Sequence, residues 1–312
     1  MTKDFKEFKK SQEFPVKGSD LVRWRQRARR SAHLEEIPLG EVDWLLREIS
    51  SLTSLELRLE SFVDRPAIYL NLSLETLEQR WQKRLKERSP IQYLAGSTPW
   101  RNLHLQVTPG VLIPRPETEI LIDLAIAASR SYPELTTGNW VDMGTGSGAI
   151  AIALAEVFPQ AIIHGVDKSS TALAIALANA ENYGYTSPQN QRIHFHQGSW
   201  WEPLDCLRGE VQAMISNPPY IPTGMIAKLQ PEVTHHEPHA ALDGGEDGLD
   251  DLRHLIATSP DYLKSGGLWL VETMAGQPEV VMQLLQAQGS YRDICSFPDF
   301  ASLERFVQAV RC

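Results

Sequence analysis

The stretch Met214-Ile215-Ser216-Asn217-Pro218-Pro219-Tyr220 runs from apolar residues into an amide, two prolines and an aromatic ring. Asn217 supplies an amide oxygen and an NH2 group. Pro218 has no N–H, so its carbonyl is not drawn into an ordinary local turn and can point into a site. Two prolines fix the backbone, so little entropy is lost on holding a ligand. Tyr220 adds a flat face and a polar tip. Together they suit a planar NH2 group, either a carboxamide or an exocyclic base amine. Such a nitrogen is a poor nucleophile because its lone pair is delocalised. Two acceptors bias it toward a tetrahedral form and aim the lone pair, and positioning alone can supply several kcal/mol of the barrier. No strong base is needed, since the proton becomes acidic once the new bond forms. Read alone, the stretch is equally a proline-rich strand terminator.

A second constellation is Val141-Asp142-Met143-Gly144-Thr145-Gly146-Ser147-Gly148-Ala149. Gly144 and Gly146 permit a tight turn and a close approach of backbone to ligand. The helix that follows presents unpaired N–H donors. Asp167 ends the next predicted strand, where it can accept hydrogen bonds from a ribose diol. Gly144, Gly146 and Ala149 also satisfy the dinucleotide fingerprint, so the turn does not separate NAD from S-adenosylmethionine. Asp142 favours the latter. A carboxylate there suits an ammonium or sulfonium group and is awkward beside a pyrophosphate.

These residues need elements to hold them. Residues 1–19 are polar and read as a mobile tail. Residues 20–88 read as a bundle of short amphipathic helices. Ser19 and Asp20 offer caps, and Val42, Leu45, Leu46 and Ile49 repeat at helical spacing. Leu74, Leu77, Trp81 and Leu85 do the same behind Ser73. Residues 89–116, punctuated by Pro90, Gly96, Pro99, Pro109 and Gly110, read as a hairpin-like connector with an extended piece at 103–108. From residue 117 to 312 helices and strands alternate, beginning with a helix that turns Ile120, Leu121, Leu124 and Ala128 inward. Strands are predicted at 140–142, 161–167, 193–197, 211–216 and 268–272, with helices near 149–158, 171–183, 249–263 and 279–288. Near-continuous apolar strands between helices argue for a parallel sheet covered on both faces. Ligands bind such sheets outside the carboxyl ends, where strand order reverses.

At this point the sequence resembles a known family. Asp142-x-Gly144-x-Gly146-x-Gly148 with Asn217-Pro218-Pro219-Tyr220 is similar to class I S-adenosylmethionine-dependent methyltransferases acting on planar amino groups. Pro90-Ile91-Gln92-Tyr93-Leu94-x-Gly96, Leu112-Ile113-Pro114-Arg115-Pro116-Glu117-Thr118-Glu119 and Glu237-Pro238-x-x-Ala241-Leu242 narrow the likeness to peptide chain release factor N5-glutamine methyltransferases. The resemblance implies an α/β fold: a doubly wound, mostly parallel, seven-stranded Rossmann-like sheet with a small N-terminal helical-bundle domain for substrate recognition. It implies S-adenosylmethionine as cofactor, with Asp142 and residues 144–148 at its methionine part, Asp167 at the ribose and Trp200 at the adenine. Asn217, Pro218, Pro219 and Tyr220 would hold the glutamine amide of a release factor's Gly-Gly-Gln motif, Asn217 also lying beside the cofactor. Three positions depart from the pattern: Ser199 where Asp is expected beside the adenine amino group, Met274 for Gly, and His239 for Arg. The substrate alternatives are a ribosomal-protein glutamine, against which residues 114–119 argue, and a DNA adenine. An NAD-dependent oxidoreductase leaves Asn217–Tyr220 unexplained, and a non-catalytic binding module is the remaining reading.

Composition narrows the field. Lys+Arg 30 against Asp+Glu 39 gives a net charge of −9, a poor field for gripping nucleic acid or an anionic membrane, so neither is an expected partner. Cys206, Cys295 and Cys312 have no CxxC spacing and read as the reduced thiols of a cytoplasmic protein. A charged N-terminus without an apolar core is no secretory signal, and no run approaches a membrane span. A monomer is expected. Arg23, Arg25, Arg27, Arg29 and Arg30 read first as a solvated helix face. Glu232, His235, His236, Glu237 and His239 lack metal-site spacing and read as a mobile loop over the substrate groove, so no metal is expected. Residues 243–248 are acidic without calcium-loop spacing and are expected to turn into the following helix.

Overall fold

A computed structural model describes residues 13–312. The elements in chain order are β1 (Phe14–Val16), α1 (Gly18–Leu34), α2 (Gly40–Ile49), α3 (Ser54–Leu59), β2 (Ile68–Leu70), α4 (Leu74–Glu87), α5 (Ile91–Ala95), β3 (Ser97–Trp100) and β4 (Leu103–Gln106). Next come α6 (Glu119–Ser131), β5 (Thr137–Met143), α7 (Ala149–Val157), β6 (Gln160–Asp167), α8 (Ser170–Asn182), β7 (Ile193–Gln197) and β8 (Val211–Ser216). The chain closes with α9 (Thr223–Ile226), α10 (Pro231–His236), α11 (Asp250–Thr258), β9 (Leu263–Glu272), α12 (Pro278–Gln288), β10 (Tyr291–Pro298) and β11 (Glu304–Arg311). It divides into two compact units. The first runs through Thr98 and takes in Gln230–His236; the second holds Pro99–Leu229 and Glu237–Cys312.

In the helical unit, Val42, Leu45, Leu46 and Ile49 are all buried, as their spacing requires. Leu77 and Trp81 are buried, with Leu74 and Leu85 packed against the same cluster. Trp24 meets Trp81 edge to face at 6.2 Å. The Ser73 hydroxyl caps α4 by accepting from the Thr76 amide at 3.0 Å. Two expectations change at the N-terminal end. Of the tail drawn to residue 19, residues 1–12 lie outside the described residues, whereas Phe14–Val16 pairs antiparallel with Ile68–Leu70. α1 starts at Gly18, ahead of the expected Ser19-Asp20 cap. There a side-chain carbon would sit 1.9 Å from the Phe62 carbonyl oxygen, so only glycine lets the chain turn against that backbone.

The arginine run is not one solvated face. Arg25 is buried and bonded to Asp43 at 2.6 Å and to Glu60 at 2.8 Å, while Arg29 reaches Asp43 at 3.0 Å. The expected loop around Glu232 also differs. Residues 231–236 form α10, where Glu232 accepts from the buried Arg84 at 2.8 Å and pairs with Arg88 at 3.0 Å. His236 bonds the Glu87 carbonyl at 2.6 Å. A helix with ion pairs to this unit thus stands at 231–236, where a loop was expected.

The second unit is built on a seven-stranded sheet of order β10-β11-β9-β8-β5-β6-β7. The pairs from β9 through β7 are parallel; β11 is antiparallel to both β9 and β10. Alternate residues feed two cores, one per face. Trp140, Ile163, Ile215 and Leu270 join one cluster; Val141, Val166, Met214 and Trp269 join the other. The inward stripe of α6 is Leu121, Ile122, Ala125 and Ala128, with Ile120 and Leu124 half-buried beside it. Residues 89–116 contain the short helix α5 as well as the β3–β4 hairpin, and the division between units falls inside β3, after Thr98. Because β5 continues to β6 on one side and neighbours β8 on the other, strand order reverses between β5 and β8. Their carboxyl ends carry the glycine turn and Asn217.

Candidate functional site

The glycine turn leaves β5 with Gly144, Gly146 and Gly148 all at positive φ, between 54° and 82°, a conformation closed to most side chains. The Gly144 and Thr145 amides both donate to the Val166 carbonyl at 2.9 Å, which clamps the turn to the end of β6. Asp142 is fully buried behind it. Its Oδ2 accepts from the Thr145 hydroxyl at 2.6 Å and from the Ala151 amide at 3.1 Å, while Oδ1 has no partner among the described residues. Burial pushes its carboxyl up to about 7, against the pull of those two hydrogen bonds. Buried Asn179 braces the turn from the other side, donating to the Ser147 carbonyl at 2.9 Å and gripping the Gln106 backbone.

A cavity of about 270 Å³ opens over this turn. Gly144, Gly146, Asp167, Trp200, Asn217 and Pro219 all line it. Asp142, Thr145, Ser147, Gly148, Pro218 and Tyr220 are not among its lining residues. Asp167 holds its place by accepting from the Gly146 amide at 3.0 Å and the Ser169 amide at 2.9 Å, and it stays half-exposed. Trp200 occupies the left-handed region at φ 51°, a strained setting for a bulky residue. Ser199 lines the same cavity.

At the other end of the cavity, the Ser216 hydroxyl donates to the Met143 carbonyl at 2.7 Å and ties the end of β8 to the end of β5. Asn217 Nδ2 donates to the Thr118 hydroxyl at 3.1 Å. Thr118 donates to Glu272 Oε2 at 2.7 Å, and the Tyr220 hydroxyl donates to Oε1 of the same carboxylate at 3.0 Å. Burial pushes the Glu272 carboxyl and the Tyr220 phenol upward. The Pro218 carbonyl accepts no hydrogen bond among the described residues. Tyr220 spends its polar tip on Glu272, and its ring packs on a core cluster instead of facing the cavity.

Two loops buttress Asn217–Tyr220. Gln277 donates to the Tyr220 carbonyl at 3.0 Å. Gly244 lies so close that a side-chain carbon there would be 2.7 Å from the Pro219 oxygen and 2.9 Å from Tyr220 Cα. The acidic stretch 243–248 therefore supports the motif as well as leading to α11. Glu237, buried, pairs with Arg115 at 2.6 Å and joins two of the other three motif segments. Thr118 and Glu272 were not among the candidates read from the sequence. Thr118 sat inside a motif that was read, while Glu272 carried no signal beyond ending a strand.

The family model for a methyltransferase domain matches residues 137–289. The release factor glutamine methyltransferase of Synechocystis sp. is 50% identical over 295 residues, covering 94% of this chain and 97% of that one. The protein of the same name from Thermosynechococcus vestitus is 45% identical over 296 residues, covering 94% and 99%. The chain belongs to the release factor glutamine methyltransferase family. Among solved structures, the hMettl16 catalytic domain in complex with a MAT2A 3′UTR hairpin shares the fold, with a TM-score of 0.54 at 12% identity over 85% of this chain and 88% of that one. As a release factor glutamine methyltransferase family member, the chain uses S-adenosylmethionine as cofactor. Its residues fit that group. The glycine cradle is open, since a side-chain carbon on Gly144 would stand 4.0 Å from both Trp200 and the Asn217 carbonyl, in the space a ligand needs. A half-exposed carboxylate and an aromatic ring face the same space.

Proposed function

We propose that the protein transfers a methyl group from S-adenosylmethionine to the N5 amide nitrogen of the glutamine in the Gly-Gly-Gln motif of peptide chain release factors, in the cytoplasm. The observation that carries this reading is that Asn217 lines the same cavity as Gly144, Gly146 and Asp167. The names of the relatives support the choice of substrate.

Bound S-adenosylmethionine supplies an electrophilic methyl carbon. In this reading Gly144 and Gly146 offer backbone to its amino-acid part, Asp167 accepts from the ribose diol with its remaining lone pairs, and Trp200 covers the adenine. Asn217 Oδ1 and the Pro218 carbonyl accept the two amide hydrogens of the glutamine, which fixes the nitrogen in line with the methyl carbon. Tyr220 supports the clamp from behind through Glu272. Forming the nitrogen–carbon bond would break the methyl carbon's bond to sulfur, with S-adenosylhomocysteine as the leaving group, and the surplus amide proton would pass to water.

Intact-mass analysis of a release factor incubated with protein and cofactor is expected to show a gain of one methyl, mapped to the Gly-Gly-Gln peptide. An unmodified factor overturns the reading. Asn217→Ala is expected to lower kcat by about 10²–10³-fold while the protein still binds S-adenosylhomocysteine.

A further inference from the structure

Thr118 stands at the N-cap of α6, yet its hydroxyl caps nothing there. A threonine at that position ordinarily accepts a hydrogen bond from the helix's first turn. Here the side chain is turned inward and buried, with its hydroxyl committed to Glu272 and Asn217.

The directions of these bonds follow from counting protons. In its ionised form Glu272 can only accept, and its two oxygens take the Thr118 and Tyr220 hydroxyls, the bonds that favour the charge against burial. Thr118 has one proton, which goes to Glu272, so it has only lone pairs left for Asn217. The Asn217 amide must therefore present its NH2 to Thr118, because the flipped amide would set two acceptors face to face. That leaves Oδ1 as the uncommitted end of an amide that lines the cavity. A buried carboxylate is costly and is a poor choice where packing alone is needed.

We propose that Glu272 and Thr118 are positioning residues for methyl transfer: the buried carboxylate, acting through the Thr118 hydroxyl, dictates that Asn217 offers the substrate nitrogen an acceptor and not a donor. The same carboxylate pins Tyr220 from the other side, so one group sets both flanks of the motif. The inference rests on the reading of Asn217 as the group that holds the substrate amide.

Thr118→Val keeps the shape and removes the relay hydroxyl; Thr118→Ser keeps the hydroxyl. Both are compared with the wild type for kcat and KM on an intact release factor, for S-adenosylhomocysteine affinity by calorimetry, and for melting temperature. Orientation acts on the reacting geometry, so Thr118→Val is expected to lose about 10–100-fold in kcat with KM and S-adenosylhomocysteine affinity nearly unchanged. Thr118→Ser is expected to recover most of that loss. Glu272→Gln, whose amide places a donor against Thr118 or Tyr220, is expected to lose kcat at least as far, and it decides the matter if Thr118→Val does not fold. Full activity of a folded Thr118→Val overturns the relay, as does an equal loss in the Val and Ser variants. A wild type that binds S-adenosylhomocysteine but leaves the release factor unmethylated overturns the substrate reading instead, and the relay with it.

Discussion

Asp142 sits near the end of β5, just before the glycine turn, with no exposure, and it keeps its proton to about pH 7 because burial disfavours the charge. An unfolded aspartate releases its proton near 3.8. The native state therefore binds the extra proton between those values and loses stability as pH rises through that window. Asp142→Asn cannot titrate. Relative to wild type, the ligand-free variant is expected to gain a few kcal/mol between about pH 4 and about pH 7.5, at about 1.4 kcal/mol per pKa unit. Urea melts at several pH values check this, and parallel curves would refute it. At this scale the sequence was uneven. Asn217, Asp167 and the cavity-lining glycines were legible as neighbours because each sits in or beside a short motif at the end of a predicted strand. Asp142 was legible as an acidic residue, but it holds the turn and does not line the cavity. Thr118 and Glu272 were hidden because the partners of Thr118 lie 99 and 154 positions along the chain, and no local pattern reports such pairing.

Strands, helices and loops were easier to foresee where packing imposes a period. β7 and β8 have the bounds their apolar runs predict, and α7, α8 and α12 start and stop within a residue or so of expectation. β10 and β11 escaped the residue-by-residue reading. They form an antiparallel pair at the sheet's edge with mixed exposure, and register shifts between Arg292 and Cys295 and between Phe297 and Pro298 break the two-residue alternation. Loop 243–248 looked like a simple lead-in to a helix, because nothing in its composition tells that Gly244 touches the Pro219 backbone. Gly244→Ala is expected to destabilise the protein by about 1–3 kcal/mol through overpacking and to lower kcat by displacing the motif. Gly224→Ala, in α9 with nothing within 4 Å of the added carbon, serves as the control and is expected to leave both unchanged. Melting curves and initial rates distinguish the two. Equal behaviour would mean that the motif does not lean on this loop.

Across the molecule, the helical unit has its own apolar cluster, and the second unit has one on each face of its sheet. The connector read from punctuation spans residues 89–116, and the compact units part inside it, after Thr98. The cavity belongs wholly to the second unit. Saturating S-adenosylhomocysteine is therefore expected to slow amide exchange in β5, β6 and α7, by the equivalent of about 2.7 kcal/mol at 100 times its Kd. Exchange in α1 and α4 is expected to stay as it was, and equal protection in both units would contradict this. The return of Gln230–His236 to the helical unit has a further consequence, which concerns the order in which the chain is made. Folding on the ribosome begins from the N-terminal end. Arg84 can meet Glu41 once α4 is complete, but its second carboxylate, Glu232, is not synthesised until after much of the other unit, including Asn217–Tyr220, has been made. The N-terminal bundle is thus started first, yet it cannot be complete until residues 230–236 have been made.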